Sequence, residues 1–226
     1  MTSDSTDKRT FVIVGGGDLK PGFLRERLEA YPGAFIIAAD KGLEKLSEIG
    51  AEPDHILGDF DSVDPEKLEK YKEDHSLTER FPAEKDFTDT EAAIYYALEH
   101  GSGRIILLGM TGGRLDHFLA NVQNLLIALE KDVPAVIEDP QNRLFLMRDG
   151  QSVVFRREKT FGTYLSLIPL TDELDGLTLR GVKYPLDKAG VRKGHTLCVS
   201  NEITADEAEV ILGRGVMAVV LSKDKE

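Results

Sequence analysis

The sequence predicts an α/β protein in two parts: an N-terminal, mostly parallel sheet with helices on both faces, over residues 1–140, and a C-terminal antiparallel β sandwich or barrel-like domain, over 141–226. Three observations predict it. Short apolar runs alternate with helical stretches through the first part, the pattern of a parallel sheet covered on both sides. One long stretch there carries a clear helical period. From about Asn142 that period vanishes, and short alternating segments separated by Gly, Pro, Asp and Asn take over.

The elements follow in order. Phe11–Val14 reads as a strand running into Gly15-Gly16-Gly17, Phe35–Ala39 as a second ending at Asp40, and His55–Leu57 as a third ending at Gly58-Asp59. Thr88-Asp89-Thr90-Glu91 fits a capping box, so a helix is expected to start there. Arg104–Leu108 is an apolar strand ending at Gly109, and Ala135–Ile137 is another. Between them the spacing predicts a helix over Leu115–Leu129, with Leu115, Leu119, Val122, Leu126 and Leu129 on its apolar face. Arg114, His117, Asn121 and Asn124 fall on its polar face. In the second part Leu144–Met147, Ser152–Phe155, Tyr164–Ile168, Leu177–Leu179, Thr196–Val199 and Val216–Leu221 read as strands. The boundary near Asp139-Pro140 is a change of class and not a linker.

Composition narrows the function. The chain has 226 residues and a formal net charge of −12. Such an acidic surface repels nucleic acid and anionic membranes as main partners and attracts cations. No apolar run approaches the roughly 20 residues that cross a bilayer. The N-terminus lacks the apolar stretch of a secretory signal, and a cytoplasmic location is the expectation. Cys198 is the only cysteine, which excludes an internal disulfide, and its run Leu197-Cys198-Val199 suggests a buried strand thiol. There is no Gly-x-x-x-x-Gly-Lys-Ser/Thr loop, no zinc-spaced Cys/His cluster and no Gly-x-Ser-x-Gly elbow. Gly15-Gly16-Gly17 does not complete a dinucleotide fingerprint, because position 20 is Lys, and it reads as a tight turn.

Aspartates dominate the ends of the predicted strands, where open α/β sheets bind ligands. They are Asp40, Asp59 and Asp61 in Gly58-Asp59-Phe60-Asp61-Ser62, Asp86 and Asp89 in Lys85-Asp86-Phe87-Thr88-Asp89, and Asp116 after Gly112-Gly113-Arg114-Leu115. If the chain stays extended past Gly58, Asp59 and Asp61 point to one side. Two carboxylates about 4 Å apart repel by roughly 4 kcal/mol at an effective dielectric of 20, so a cation between them is expected. All-oxygen ligands favour a hard ion such as Mg²⁺ shared with phosphates. A loop of solvated aspartates is the plainer reading, and Asp89 also suits the helix dipole alone. Lys85 beside the carboxylates, and Arg114 with His117 after flexible glycines, could serve a phosphate. His117 could equally cap the helix or support a ligand-contacting neighbour.

Together these segments, with Ala39-Asp40-Lys41-Gly42, Asn121 and Ser200-Asn201-Glu202, resemble the thiamine pyrophosphokinase family in order and spacing over most of the chain. The resemblance implies a magnesium-dependent transfer of pyrophosphate from ATP to thiamine, giving AMP and thiamine diphosphate. It implies Asp59, Asp61, Asp86 and Asp89 around Mg²⁺ and the triphosphate, with Asp40, Lys85, Arg114, Asp116 and His117 on the nucleotide side. Asn121, Ser200 and Asn201 would meet thiamine, in a homodimer with active sites at the subunit interface. Without the resemblance Ser200-Asn201 is an ordinary turn. Lys41 stands where many relatives have Gly, and the chain has no Trp to stack on the pyrimidine. A pyrophosphokinase for another small alcohol, such as a pterin, and a non-catalytic nucleotide- or thiamine-binding module are the alternatives.

Overall fold

A computed structural model describes residues 9–58, 78–80 and 87–225. Contacts divide the chain into two units, Met1–Asp139 and Pro140–Glu226.

In the first unit the strands are β1 (Arg9–Val14), β2 (Phe35–Ala39), β3 (His55–Gly58), β4 (Thr78–Arg80), β5 (Ser102–Leu108) and β6 (Ala135–Glu138). They lie in the order β6-β5-β1-β2-β3-β4, every neighbouring pair parallel. The helices are α1 (Pro21–Ala30), α2 (Gly42–Glu48), α3 (Asp89–Glu99) and α4 (Leu115–Glu130). All five expected strands are present; β4 carries no apolar run and was not expected.

Continuous apolar runs form these strands because both faces are covered. Val12, Val14, Ala38, Ile56, Ile106 and Leu108 pack on Leu24 of α1 and on Leu43 and Leu46 of α2. The alternate residues Phe11, Ile13, Ile37, Leu57, Ile105 and Leu107 are equally buried and face the other way, where α3 crosses β1, β2, β3 and β5. Truncating any of these large aliphatic side chains to Ala would destabilise the unit by about 2–5 kcal/mol. On the α3 side Tyr96 stacks on His55 and His100, with ring centroids 4.0 and 3.9 Å apart.

Local chemistry sets the helix starts. Pro21 begins α1, where its missing N–H would have had no helical acceptor. Thr88 caps α3 as expected, its Oγ1 accepting the Glu91 N–H at 3.2 Å. The first residue of α2 is Gly42 because any Cβ there would overlap the Val14 carbonyl oxygen. A buried ion pair ties α1 to the end of β6: Arg27 Nε lies 2.7 Å from Glu138 Oε2. Arg27 also donates to the Tyr31 hydroxyl at 2.8 Å, and that hydroxyl donates to Glu138 at 3.3 Å. Burial, and then the Glu138 charge, push the Tyr31 phenol above its ordinary value.

Helix α4 spans the expected residues but buries a different face. Asn121, Val122, Leu125 and Ala128 point inward, whereas Leu115 and Leu119 are 76% and 58% exposed. The buried stripe shares only Val122 with the expected apolar face and includes a polar Asn.

The second unit holds two antiparallel sheets. β12 (Asn201–Glu202), β9 (Tyr164–Pro169), β14 (Val216–Ser222) and β7 (Asn142–Arg148) adjoin in that order. β11 (Leu186–Arg192), β10 (Glu173–Arg180), β13 (Glu207–Ile211) and β8 (Ser152–Arg156) form the other. Leu165, Leu167, Met217 and Val219 from the first sheet share one core with Leu174, Leu177, Leu179, Val191 and Val210 from the second. Thr196–Val199 is a turn and not a strand. Its Cys198 is nevertheless buried in the core, and burial pushes the thiol above its ordinary value.

Candidate functional site

The strand order places β1 between β2 and β5, and the chain leaves it in both directions. In open α/β sheets ligands bind beyond the carboxyl ends of the strands at such a switch point. Here the loops are Gly15–Lys20 after β1 and Gly109–Arg114 after β5. Register brings them level, since Val14 pairs with both Ala38 and Leu108, and Ala39 pairs with Leu57. Asp40, Gly58, Gly15 and Gly109 therefore leave the sheet at one edge.

These two loops touch backbone to backbone. The Gly15 N–H donates to the Leu108 carbonyl at 2.8 Å, Gly17 to Gly109 at 2.8 Å and Asp18 to Thr111 at 2.9 Å. A Cβ on Gly17 would stand 2.5 Å from the Gly109 and Thr111 carbonyl oxygens. That contact explains the glycines of the tight turn.

Asp40 follows β2 with φ of +50°, an uncommon conformation for a residue with a side chain. Its N–H donates to the Leu57 carbonyl at 3.0 Å, which fixes it beside the end of β3. Asp89 sits in the first turn of α3. That turn borders the β5 loop through the Thr90 hydroxyl, 3.7 Å from Met110 Sδ. Asn124 is half-buried and reaches the Thr88 hydroxyl at 3.5 Å, so it joins α4 to the cap of α3.

Arg114 and Asp116 form an exposed bidentate pair, Nε to Oδ1 at 3.1 Å and Nη2 to Oδ2 at 2.5 Å. The Arg114 bond, and then the His117 N–H donating to Oδ1 at 3.0 Å, lower the Asp116 carboxyl to about 2. The same pairing raises Arg114. The His117 side chain is exposed.

Asn121 is not on the polar face of α4: it is 8% exposed, and its Nδ2 donates to the Met110 carbonyl at 3.2 Å. Asp59, Asp61, Lys85 and Asp86 lie outside the described residues. Among the described residues no group of three or more His, Cys, Asp or Glu side chains could hold a metal ion.

In the second unit Ser200 has φ of +58° and is exposed, its N–H donating to the Ser166 hydroxyl at 2.9 Å. Asn201 is 4% exposed. Its Oδ1 accepts from the Tyr184 and Glu202 N–H groups at 3.0 and 2.9 Å, and its Nδ2 donates to the Tyr184 carbonyl at 2.9 Å. Asn201 thus clamps both sides of the Tyr184 backbone while the Tyr184 ring is 60% exposed. Little in the sequence marks Tyr184. Its only signal is the dipeptide Tyr184-Pro185 between strands, which names a turn but no role.

This arrangement defines an α/β protein whose candidate site residues gather beyond the carboxyl ends of a parallel sheet, joined in sequence to a two-sheet β unit. Residues 31–137 match the thiamin pyrophosphokinase catalytic domain, and residues 151–217 match the thiamin pyrophosphokinase vitamin B1 binding domain. Thiamine pyrophosphokinase of Bacillus subtilis (strain 168) is 33% identical over 218 residues, 96% of this chain and 100% of that one. A crystal structure of the Bacillus subtilis protein superposes with a TM-score of 0.85 at 31% identity, covering 96% of this chain and 100% of that one. The thiamin pyrophosphokinase of Geobacillus thermodenitrificans superposes with a TM-score of 0.80 at 34% identity, covering 96% and 99%. The chain belongs to the thiamin pyrophosphokinase family.

Proposed function

We propose that this protein transfers the diphosphate group of ATP to the hydroxyethyl oxygen of thiamine, releasing AMP and thiamine diphosphate. The observation that carries this reading is the 33% identity to a thiamine pyrophosphokinase over 96% of the chain.

In this reading the first unit handles the nucleotide. Asp59, Asp61, Asp86 and Asp89 would surround Mg²⁺ and the triphosphate; carboxylate and phosphate oxygens together suit that hard cation. The bound ion supplies charge neutralisation for the polyphosphate. Asp40, Lys85 and His117 serve the nucleotide in the same reading. Arg114 grips phosphate oxygens with the guanidinium N–H groups that Asp116 leaves open, and Asp116 aims it. The thiamine hydroxyl attacks the β-phosphorus in line. A bond forms from that oxygen to the β-phosphorus, the bond to the α-bridging oxygen breaks, and AMP departs with its electron pair. Asp61 or Asp89 takes the hydroxyl proton. Such transfers have loose transition states, so positioning and charge neutralisation supply most of the acceleration.

The second unit handles thiamine. The exposed Ser200 hydroxyl is free to meet the pyrimidine, and Asn201 sets the Ser200 and Tyr184 segments in place. Tyr184 offers the pyrimidine a flat, exposed ring in a chain with no Trp. Asn121 acts from inside α4, holding the Met110 loop. The thiazolium is a fixed cation, which an acidic protein attracts.

A homodimer belongs to this reading. Leu115 and Leu119, one turn apart on α4 and exposed, are apolar surface that a second copy would cover. Nucleic acid and membranes have no part in it, and among the described residues no helix is long and apolar enough to cross a membrane. An acceptor screen tests the reading. With Mg·ATP and either thiamine or a pterin alcohol, turnover is expected with thiamine alone; turnover with the pterin alcohol alone would reject it.

A further inference from the structure

We propose that Thr111 and Asp139 are positioning residues that hold the phosphate-binding loop of the nucleotide site in its working shape; this rests on the function proposed above and deepens it. Thr111 is bonded on two sides. Its carbonyl accepts the Asp18 N–H at 2.9 Å, and its hydroxyl donates to Asp139 Oδ2 at 2.9 Å. Asp139 is 8% exposed and directly follows β6, whose Glu138 is in register with Leu108 of β5. The ends of β1, β5 and β6 are thereby joined through one residue.

The rest of the loop is fixed on either side of Thr111. Gly109 accepts from Gly17 at 2.8 Å, and Met110 accepts from Asn121 at 3.2 Å. Arg114 comes three residues later at the N-cap of α4, where its side chain makes no capping bond and pairs with Asp116 in the first turn. Its backbone is delivered by this loop, so the placement of the pair depends on the loop. A hydroxyl donating to a buried carboxylate makes a charge-assisted bond, roughly twice as strong as a neutral one. A displacement of about 1 Å at a reacting site can lower a rate about 100-fold, so a loop that carries a phosphate ligand gains from such a tether. Asp139 holds the loop through Thr111.

Thr111→Val removes the donor at nearly constant volume, and Thr111→Ser keeps it. Thr111→Val is expected to weaken binding of a non-hydrolysable Mg·ATP analogue about tenfold and to raise the KM for Mg·ATP similarly, with KM for thiamine unchanged. Amide exchange at Gly17 and Asp18 should quicken about tenfold in the same variant without any ligand. Thr111→Ser should restore both, and Asp139→Ala should reproduce the Val variant. Unchanged analogue affinity and unchanged exchange in Thr111→Val would overturn the proposal, as would a Ser variant as impaired as the Val variant. Exchange and analogue binding need no turnover. A wild-type protein that makes no thiamine diphosphate would therefore strike the proposed function alone.

Discussion

The Arg114 guanidinium holds the Asp116 carboxylate through two bonds, at 3.1 and 2.5 Å, although both side chains are largely in solvent. The pair spans only two residues, across the cap of α4, so little chain entropy opposes it. Because the Asp116 pKa is depressed to about 2, the carboxylate remains ionised as pH falls through the ordinary carboxylate range, and the pair is lost only near pH 2. Carbon-13 titration should give a midpoint near 2 for Asp116 in the wild type. In Arg114→Ala the midpoint should return toward the ordinary value, and KM for Mg·ATP should rise by about tenfold or more. An ordinary midpoint in the wild type would remove the clasp.

Asp59 and Asp61 carry the metal role in the proposed reaction. Replacing either by Asn should lower kcat by about two orders of magnitude or more while the thermal midpoint shifts little. Excess EDTA should abolish turnover and added Mg²⁺ should restore it. Wild-type rates in both variants, or full turnover in EDTA, would take the two residues out of the site.

Arg27 and Glu138 share a desolvated contact, with side chains 10% and 4% exposed. Arg27→Met or Glu138→Leu alone should cost about 3–5 kcal/mol, because each leaves a buried charge without its partner. The double variant should recover much of that loss. Urea denaturation of the three variants measures the coupling, and simple additivity would contradict it.

Tyr184 should matter to thiamine and not to ATP. Removing its ring in Tyr184→Ala is expected to raise KM for thiamine about tenfold, while Tyr184→Phe keeps the stacking surface and stays near the wild type. Initial-rate kinetics with each substrate varied in turn separates the two. An equal rise in both KM values would point to a general disturbance.

The fold class was legible because the parallel strands are covered on both faces and so appear as unbroken apolar runs, such as Phe11–Val14 and Arg104–Leu108. Legibility failed where the period was ambiguous. In α4 a row of leucines at helical spacing outshone the buried stripe through Asn121, Leu125 and Ala128. In the second unit Thr196–Val199 has strand-like residues but forms a turn, because its Cys198 reaches the core alone. β11 buries only Val191 and so shows no alternation, while β13 alternates Glu207, Ala208, Glu209 and Val210 over too few residues, one of them a small Ala, to stand out.

The candidate site divides the same way. Asp40, Asp89, Arg114 and Asp116 announce themselves by position at strand ends and helix starts. The Thr111–Asp139 bond and the grip of Asn201 on Tyr184 join residues 28 and 17 apart in sequence, with no local pattern to mark them. Tertiary structure alone makes those neighbours. Asn121 shows the same effect in reverse, since a polar residue on an apparent solvent face is buried against a backbone carbonyl.

The most direct test quantifies the nucleotide product formed alongside phosphorylated thiamine in a single reaction with Mg·ATP. AMP and thiamine diphosphate should accumulate in equal amounts, with no ADP. ADP accumulating with thiamine monophosphate would mean attack at the γ-phosphorus and would contradict the account.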